Sequence, residues 1–524
     1  MVNFYSVQFI TFLLIALVCY YTFLKKQQWI CLLAASAVFY YWTGIENFAF
    51  LLLTGMTTWA GAKILAKYSE ELLALRKDKT LEKEVKAAKK EQLIKKRRFI
   101  MWSVLGVNFG VLAILKYLEP VLDGLGFSEL GDALGLVLPL GISFYTFQSI
   151  GYLLDIYFEK HEPEQNFAKY MLFVSYFPQM IQGPINRYDT MGEQFAGEYT
   201  WDGKRATKAV YRIGYGLLKK YTIANTFSVI LVNIFDTPVR DYSGAMVLFG
   251  ILLYSAQQYA DFSGGIDMVL GISELFGIQM TENFRQPYFS TSLAEFWRRW
   301  HISLGKWMRD YVFYPFALTK PLKNLGKWAN KKLGKHLGRT LPAALGNLLV
   351  FFIVGIWHGA ESHYIVWGLY NGAIIAMSDL LAPVYEKTRA YLHVKEESKL
   401  FYLFRMIRTF IIVNIGWYFD RIYDIEMAFY SLKKTVMSFQ LHLFSTEYAE
   451  VFEGVKAHGG KIAVLGCILV FIVSVLEERK IDMRERLYKC PLVIRWCIYS
   501  FVIIVILFGC TRVGETGGFM YANF

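Results

Sequence analysis

Charge is scarce in this sequence. Asp, Glu, Lys and Arg make up 19% of its 524 residues, where soluble chains carry about 25%. That shortage excludes the string of soluble domains that a chain this long would usually form. Paired cysteines are missing too. Cys19, Cys31, Cys467, Cys490, Cys497 and Cys510 form no CxxC pair and sit mostly in apolar runs. They read as packing residues, with no disulfide frame and no metal site. There is no HExxH, no Walker loop and no GxSxG, which leaves zincin, P-loop and α/β-hydrolase chemistry without support. No internal repeat or low-complexity linker divides the chain, and residues 1–524 read as one membrane domain.

Apolar residues stand where charge does not. The chain is 55% hydrophobic and 17% aromatic, with a mean hydropathy of +0.32. A hydrocarbon core about 30 Å thick needs roughly 20 apolar residues in helix. Such runs recur near 8–23, 28–44, 46–63, 100–118, 133–157, 167–183, 208–235, 243–260, 341–357, 363–382, 401–418, 461–476 and 492–510. Several are short or interrupted, which predicts an all-α polytopic protein of roughly a dozen spans with re-entrant pieces. The first run has no basic start and no small-residue cleavage site, and more spans follow at once, so it is not a cleaved signal peptide.

The net charge of +13 follows the positive-inside rule. Residues 64–99 and 318–340 carry most of it, and the second stretch holds no acid. Basic loops also lie near 386–400 and 477–489, whereas EPVLDGLGFSELGD (119–132) has no Lys or Arg. With the basic loops inside, counting spans puts both termini outside, together with the tail 511–524. Acids and bases interleave in 64–99, which disfavours a nucleic-acid partner. Leu72, Leu75, Leu81, Val85 and Ala88 predict a charged helix or helical hairpin there, on the cytoplasmic surface.

Four segments carry more polarity than spanning requires. In LPLGISFYTFQSIGYLLDIY (138–157), Ser143, Thr146, Gln148 and Asp155 follow a Pro139–Gly141 break. In FPQMIQGPINRY (177–188), Pro178, Gly183 and Pro184 disfavour a continuous helix around Gln182. Broken backbone at membrane depth is tolerated only against protein or a water-filled cavity. In YADFSGGIDMVLGISELFGI (259–278), Asp261 and Asp267 flank Gly264–Gly265. The stretch 283–316 is too charged to span and too aromatic for an ordinary loop, and reads as an interfacial or re-entrant helix. Each feature alone has a packing explanation, and Asp261 or Asp267 would pair with an arginine of 298–309. Together they describe a polar, helix-broken interior.

Two histidines stand out, each beside a tryptophan: Trp300–His301 and Trp357–His358. Ionisable groups in a bilayer are rare and usually have a task or a partner. Histidine is the natural general base near neutral pH, and Gly359 allows close backbone approach to His358.

These pieces resemble the membrane-bound O-acyltransferase (MBOAT) family, in the branch of the alginate O-acetylation and teichoic-acid D-alanylation proteins (AlgI- and DltB-like). The resemblance is carried by PLGISFYTFQ, FPQMIQGPI, YADFSGGIDM, NFRQPYFSTSLAEFWRRWHISLGKWMRDYVFYP and GIWHGA, in the family's order from 139 to 360. It implies a ring of tilted and re-entrant helices around a central funnel. It implies that His358 is the family's membrane histidine and general base, and that His301 is its second, histidine-or-asparagine position. His301, with Arg298 and Arg299, would orient the donor or stabilise developing charge. Asp261 and Asp310 would hold His or Arg side chains, and Trp300, Trp357 and Gln182 would line the substrate path. The implied donor is acetyl-CoA or another acyl thioester, with no permanently bound cofactor and no metal. The implied acceptor is an exported polysaccharide, reached directly or through an extracytoplasmic AlgJ-like partner of the SGNH type. The setting is a bacterial plasma membrane. Tyr521 in the closing FMYANF resembles tails in which a tyrosine is proposed to carry the acyl group; an aromatic anchor explains it equally. D-alanyl transfer from a carrier protein is the alternative within the class. A transporter explains the broken helices but not the Trp–His pairs.

Overall fold

In the computed structural model, residues 6–42, 44, 46–127, 129, 134–135, 138–236, 241–452 and 459–513 are described. Among them the chain is helical, with no strand; a lone antiparallel bridge joins Phe284 to Trp300. The helices used below are, in chain order, α1 (Glu46–Lys77), α2 (Lys83–Gly124), α3 (Ile142–Tyr157), α4 (Phe167–Ser175), α5 (Gly203–Leu218), α6 (Gly244–Leu275), α7 (Leu293–Arg299), α8 (Ile302–Met308), α9 (Lys320–Leu333), α10 (Lys335–His358), α11 (Ser362–Leu380), α12 (Ala382–Tyr391), α13 (Lys399–Arg421) and α14 (Gly459–Glu478).

Five helices are long and apolar enough to cross a membrane among the described residues: α1, α2, α10, α13 and α14. The bent pair α11 and α12, which meet at 59°, brings the number to six if it counts as one span. This is fewer than the dozen runs suggest, and the shortfall has local causes. Within the run 133–157 the helix α3 begins at Ile142, after Gly141 with φ +74, a left-handed conformation that glycine adopts freely. A Cβ on Gly141 would also lie 2.5 Å from the Met180 carbonyl oxygen. The run 167–183 stops at Ser175, before Pro178, and resumes for only four residues, Gln179–Gln182. Helix α6 has 32 residues but carries Asp261, Asp267, Gln257 and Gln258, so its composition fails.

The chain forms two compact units, one of residues up to 209 with 269–281, the other of residues 210–268 with the described residues of 282–513. In the first, α1 and α2 have 32 and 42 residues, about 48 and 63 Å at 1.5 Å per residue. Both outrun a hydrocarbon core, and the charged stretch 64–99 is made of the end of α1 and the start of α2. Helix α3 is buried along nearly its whole length. Its polar residues are matched accordingly: Gln148 Nε2 donates to the Phe173 carbonyl at 2.7 Å, and Asp155 pairs with Lys160 at 2.5 Å.

In the second unit, α10 and α11 cross backbone to backbone. A Cβ on Gly368 would come within 2.3 Å of the Phe351 carbonyl oxygen, and one on Gly355 within 2.6 Å of the Tyr364 carbonyl oxygen. Another close crossing puts Gly216 of α5 against Gly264 of α6, which explains the glycine pair between the two aspartates. It brings a wide helical turn, Lys219–Ala224, against α6. There Lys220 pairs with Asp261, and Lys219 pairs with Asp267 at 2.5 Å. Arg212 reaches Asp267 at 3.0 Å and Glu282 at 2.5 Å. The expectation that 298–309 supplies the partners of these aspartates is therefore corrected: their cations come from α5 and the turn after it. Buried charges persist only when paired and hydrogen-bonded, and these are.

Candidate active site

The stretch 283–316 holds a short turn, Pro287–Phe289, and two helices, α7 and α8, broken at Trp300–His301; α8 runs on through a wide helical turn, Arg309–Phe313, into Tyr314–Ala317. The break is built from the sequence. The segment 283–285 runs beside 299–302: Arg285 N–H donates to the Arg299 carbonyl at 2.9 Å, and Ile302 N–H to the Asn283 carbonyl at 3.0 Å. Trp300 fills the corner between them. Its ring meets Phe284 at 5.1 Å, Phe296 at 5.4 Å and Trp417 at 5.7 Å between centroids. With its own backbone turned aside, His301 caps α8 at φ +48, ψ +53. Left-handed backbone is uncommon outside glycine but enriched for Asn, Asp and His, which gives a physical reason for a position that takes histidine or asparagine.

His301 is buried. Its Nδ1 lies 3.3 Å from Asn283 Oδ1, and Phe262 meets its ring edge-on at 4.8 Å. Burial pushes its pKa below the usual histidine range, which favours the neutral ring. His358 ends α10 and is also buried. Its ring meets Trp367 at 4.9 Å, Trp357 at 5.1 Å and Tyr364 at 5.8 Å. Gly359 follows it, where a Cβ would lie 2.5 Å from the Tyr364 ring. Trp357 also meets His301, at 6.4 Å. One indole thus touches both imidazoles, and residues 57 positions apart in sequence share an aromatic pocket.

The other candidates divide. Trp300 and Trp357 belong to this pocket. Asp261 precedes Phe262, the ring against His301, and pairs with Lys220. Arg299 is already matched, to Glu295 at 2.7 Å and Glu478 at 2.8 Å. Burial disfavours the Glu295 carboxylate, but hydrogen bonds from Thr291 and the charge of Arg299 outweigh it and lower its pKa. Arg298 is exposed. Asp310 pairs with the adjacent Arg309 at 2.9 Å. Gln182 belongs to the first unit, wholly buried, and neither amide atom has a hydrogen-bond partner among the described residues. Tyr521 lies outside the described residues. No cluster of metal-ligating side chains occurs among the described residues.

Sequence reasoning passed over Asn283, Lys219, Lys220 and His363. The two lysines were visible as charges inside the run 208–235. His363, wholly buried beside the pocket, has its Nδ1 at 2.8 Å from the Phe419 carbonyl oxygen; nothing near it in sequence marks it.

If the backbone explanation of His301 is right, His301→Asn keeps measurable transfer and loses less than His358→Ala in side-by-side turnover assays. Equal and complete loss in both variants would contradict it.

Long apolar helices and a buried, polar, helix-broken site define a polytopic membrane protein. The model of the MBOAT, membrane-bound O-acyltransferase family matches residues 159–330. The chain is 30% identical over 430 residues to the probable alginate O-acetylase AlgI of Pseudomonas aeruginosa, covering 80% of this chain and 71% of that one. It therefore belongs to the membrane-bound O-acyltransferase family. It is also 30% identical over 368 residues to the peptidoglycan O-acetyltransferase of Helicobacter pylori, covering 64% of each chain. To the teichoic acid D-alanyltransferase of Bacillus subtilis it is 29% identical over 241 residues, covering 45% of this chain and 58% of the other.

Proposed function

We propose that the protein moves an acetyl group from a cytoplasmic thioester, acetyl-CoA, to a hydroxyl of an exported cell-surface polysaccharide. The transfer is direct or passes through an extracytoplasmic AlgJ-like partner of the SGNH type. The observation that carries the reading is the pair of buried histidines on one tryptophan, Trp357. His358 takes the proton of the acceptor hydroxyl as its oxygen attacks the thioester carbonyl, and His301 orients the donor. The reach of the similarity favours acetyl over D-alanyl: it covers 80% of the chain against the alginate O-acetylase and 45% against the D-alanyltransferase.

The donor side follows from charge. Lys320, Lys323, Lys327 and Lys331 recur on α9 at the three- and four-residue spacing that lines one helix face, in a stretch without acids. That ridge suits an anionic donor. On this reading α9 and 64–99 lie in the cytoplasm of a bacterial cell and both termini lie outside the plasma membrane. Purified protein in detergent with a panel of labelled thioesters tests the reading. Turnover of acetyl-CoA supports it; turnover only of a carrier-bound D-alanyl thioester replaces it.

Tyr521 is the proposed first acceptor. A phenol has a reference pKa of about 10, so it needs a base such as His358, and an aryl ester is activated for onward transfer to a sugar hydroxyl. Tyr521→Phe removes only the oxygen. It is expected to block polymer acylation in cells while donor binding and melting stay as in the wild type. Wild-type acylation would make the tail an aromatic anchor instead.

A further inference from the structure

Asn283 opens the motif NFRQPY, and every contact of its side chain faces one way. Its Oδ1 accepts from Ser303 N–H at 2.9 Å and from the Ser303 hydroxyl at 2.9 Å, and lies 3.3 Å from His301 Nδ1. A backbone N–H can only donate, so the atom facing Ser303 is the amide oxygen; this settles an orientation that is otherwise ambiguous between N and O. The NH₂ end is then held pointing away from Ser303. Asn283 is 0% exposed, and its Nδ2 has no hydrogen-bond partner among the described residues. Buried donors are nearly always satisfied, and one that is not calls for a reason. Here the donor is clamped in place beside His301.

We propose that Asn283 Nδ2 is a donor to the acyl carbonyl oxygen, an oxyanion-stabilising group for the transfer. The inference rests on the acyl-transfer reading above. In the step, the acceptor oxygen forms a bond to the thioester carbonyl carbon and its proton passes to His358. The carbonyl π electrons move onto oxygen, where charge develops. Collapse of the tetrahedral intermediate restores the carbonyl and breaks the C–S bond, and the departing sulfur takes the proton back from His358. A fixed donor in a dry site acts on the oxygen at the moment its charge grows, with no reorganisation. The clamp explains why an asparagine is needed: its oxygen is spent on Ser303 and His301, and only its NH₂ is left for the substrate.

Asn283→Asp keeps an oxygen for Ser303 and removes the NH₂. Its kcat with acetyl-CoA is expected to fall about 10²–10³-fold, with KM within a few-fold and melting in detergent near wild type. A clamp without a substrate role, or a site filled by a buried water only, predicts kcat near wild type and would overturn the assignment. If Asn283→Asp fails to fold, the carbonyl stretch of ¹³C-acetyl-CoA bound to the His358→Ala protein decides. A frequency below the value in water supports a donor on the oxygen, and one at or above it overturns the assignment. Absence of turnover by the wild-type protein with every thioester would overturn the acyl-transfer reading itself.

Discussion

His358→Ala is expected to abolish acyl transfer, with turnover falling by about 10²–10⁴-fold, the range a positioned general base contributes. Expression and melting in detergent should stay near wild type. The ring lies among aromatic neighbours, Trp367, Trp357 and Tyr364, whose positions are set by α10 and α11. The crossing of α10 and α11 does not depend on it either, since Gly355 and Gly368 make that contact through backbone. A base role and a packing role therefore separate cleanly. Turnover retained above about a tenth of wild type falls short of that range and contradicts the base; a protein that no longer folds makes His358 a packing residue.

The second large effect is on stability. Lys220→Met leaves Asp261 buried without its lysine, and breaking a buried pair from one side costs about 3–5 kcal/mol. Both side chains are nearly inaccessible, 5% for Lys220 and 2% for Asp261. The variant should melt well below wild type in detergent. Adding Asp261→Leu should recover much of the loss, because replacing both charges by apolar groups is often neutral. Unchanged melting in Lys220→Met would mean that the pair contributes nothing, and no recovery in the double variant would mean that Asp261 has a further role. Asp261 lies next to Phe262, the ring against His301, so activity of the double variant also reports how firmly α6 holds the site.

Much of the site was legible because its chemistry is local in sequence. Trp300–His301 and Trp357–His358 announce themselves as polar groups in aromatic surroundings, and the break at 300–301 follows from a stretch too charged to span. The family's motifs carried the rest of the assignment. Pairings across distance were not legible. Lys220 lies 41 residues from Asp261 and Asn283 18 residues from His301, and no helical period links positions so far apart. The expected arginine partners of Asp261 and Asp267 failed for this reason. Long apolar helices are fewer than apolar runs for a different one. Hydropathy counts apolar residues whether or not the helix is continuous, and breaks at Gly141 and after Ser175 turn apparent spans into short enclosed helices. Arg299 shows the same limit in electrostatics: Glu295, one helical turn before it, is legible from spacing, but Glu478, 179 residues away, is not.

The most direct measurement is single-site transfer in reconstituted vesicles. Labelled acetyl-CoA is supplied on the face of the basic loops and label is followed to hydroxyl acceptors on the other. Wild-type protein should move label, and His358→Ala should move none above background. Equal labelling by the two proteins, or none by the wild type with any thioester donor, would contradict acyl transfer through His358.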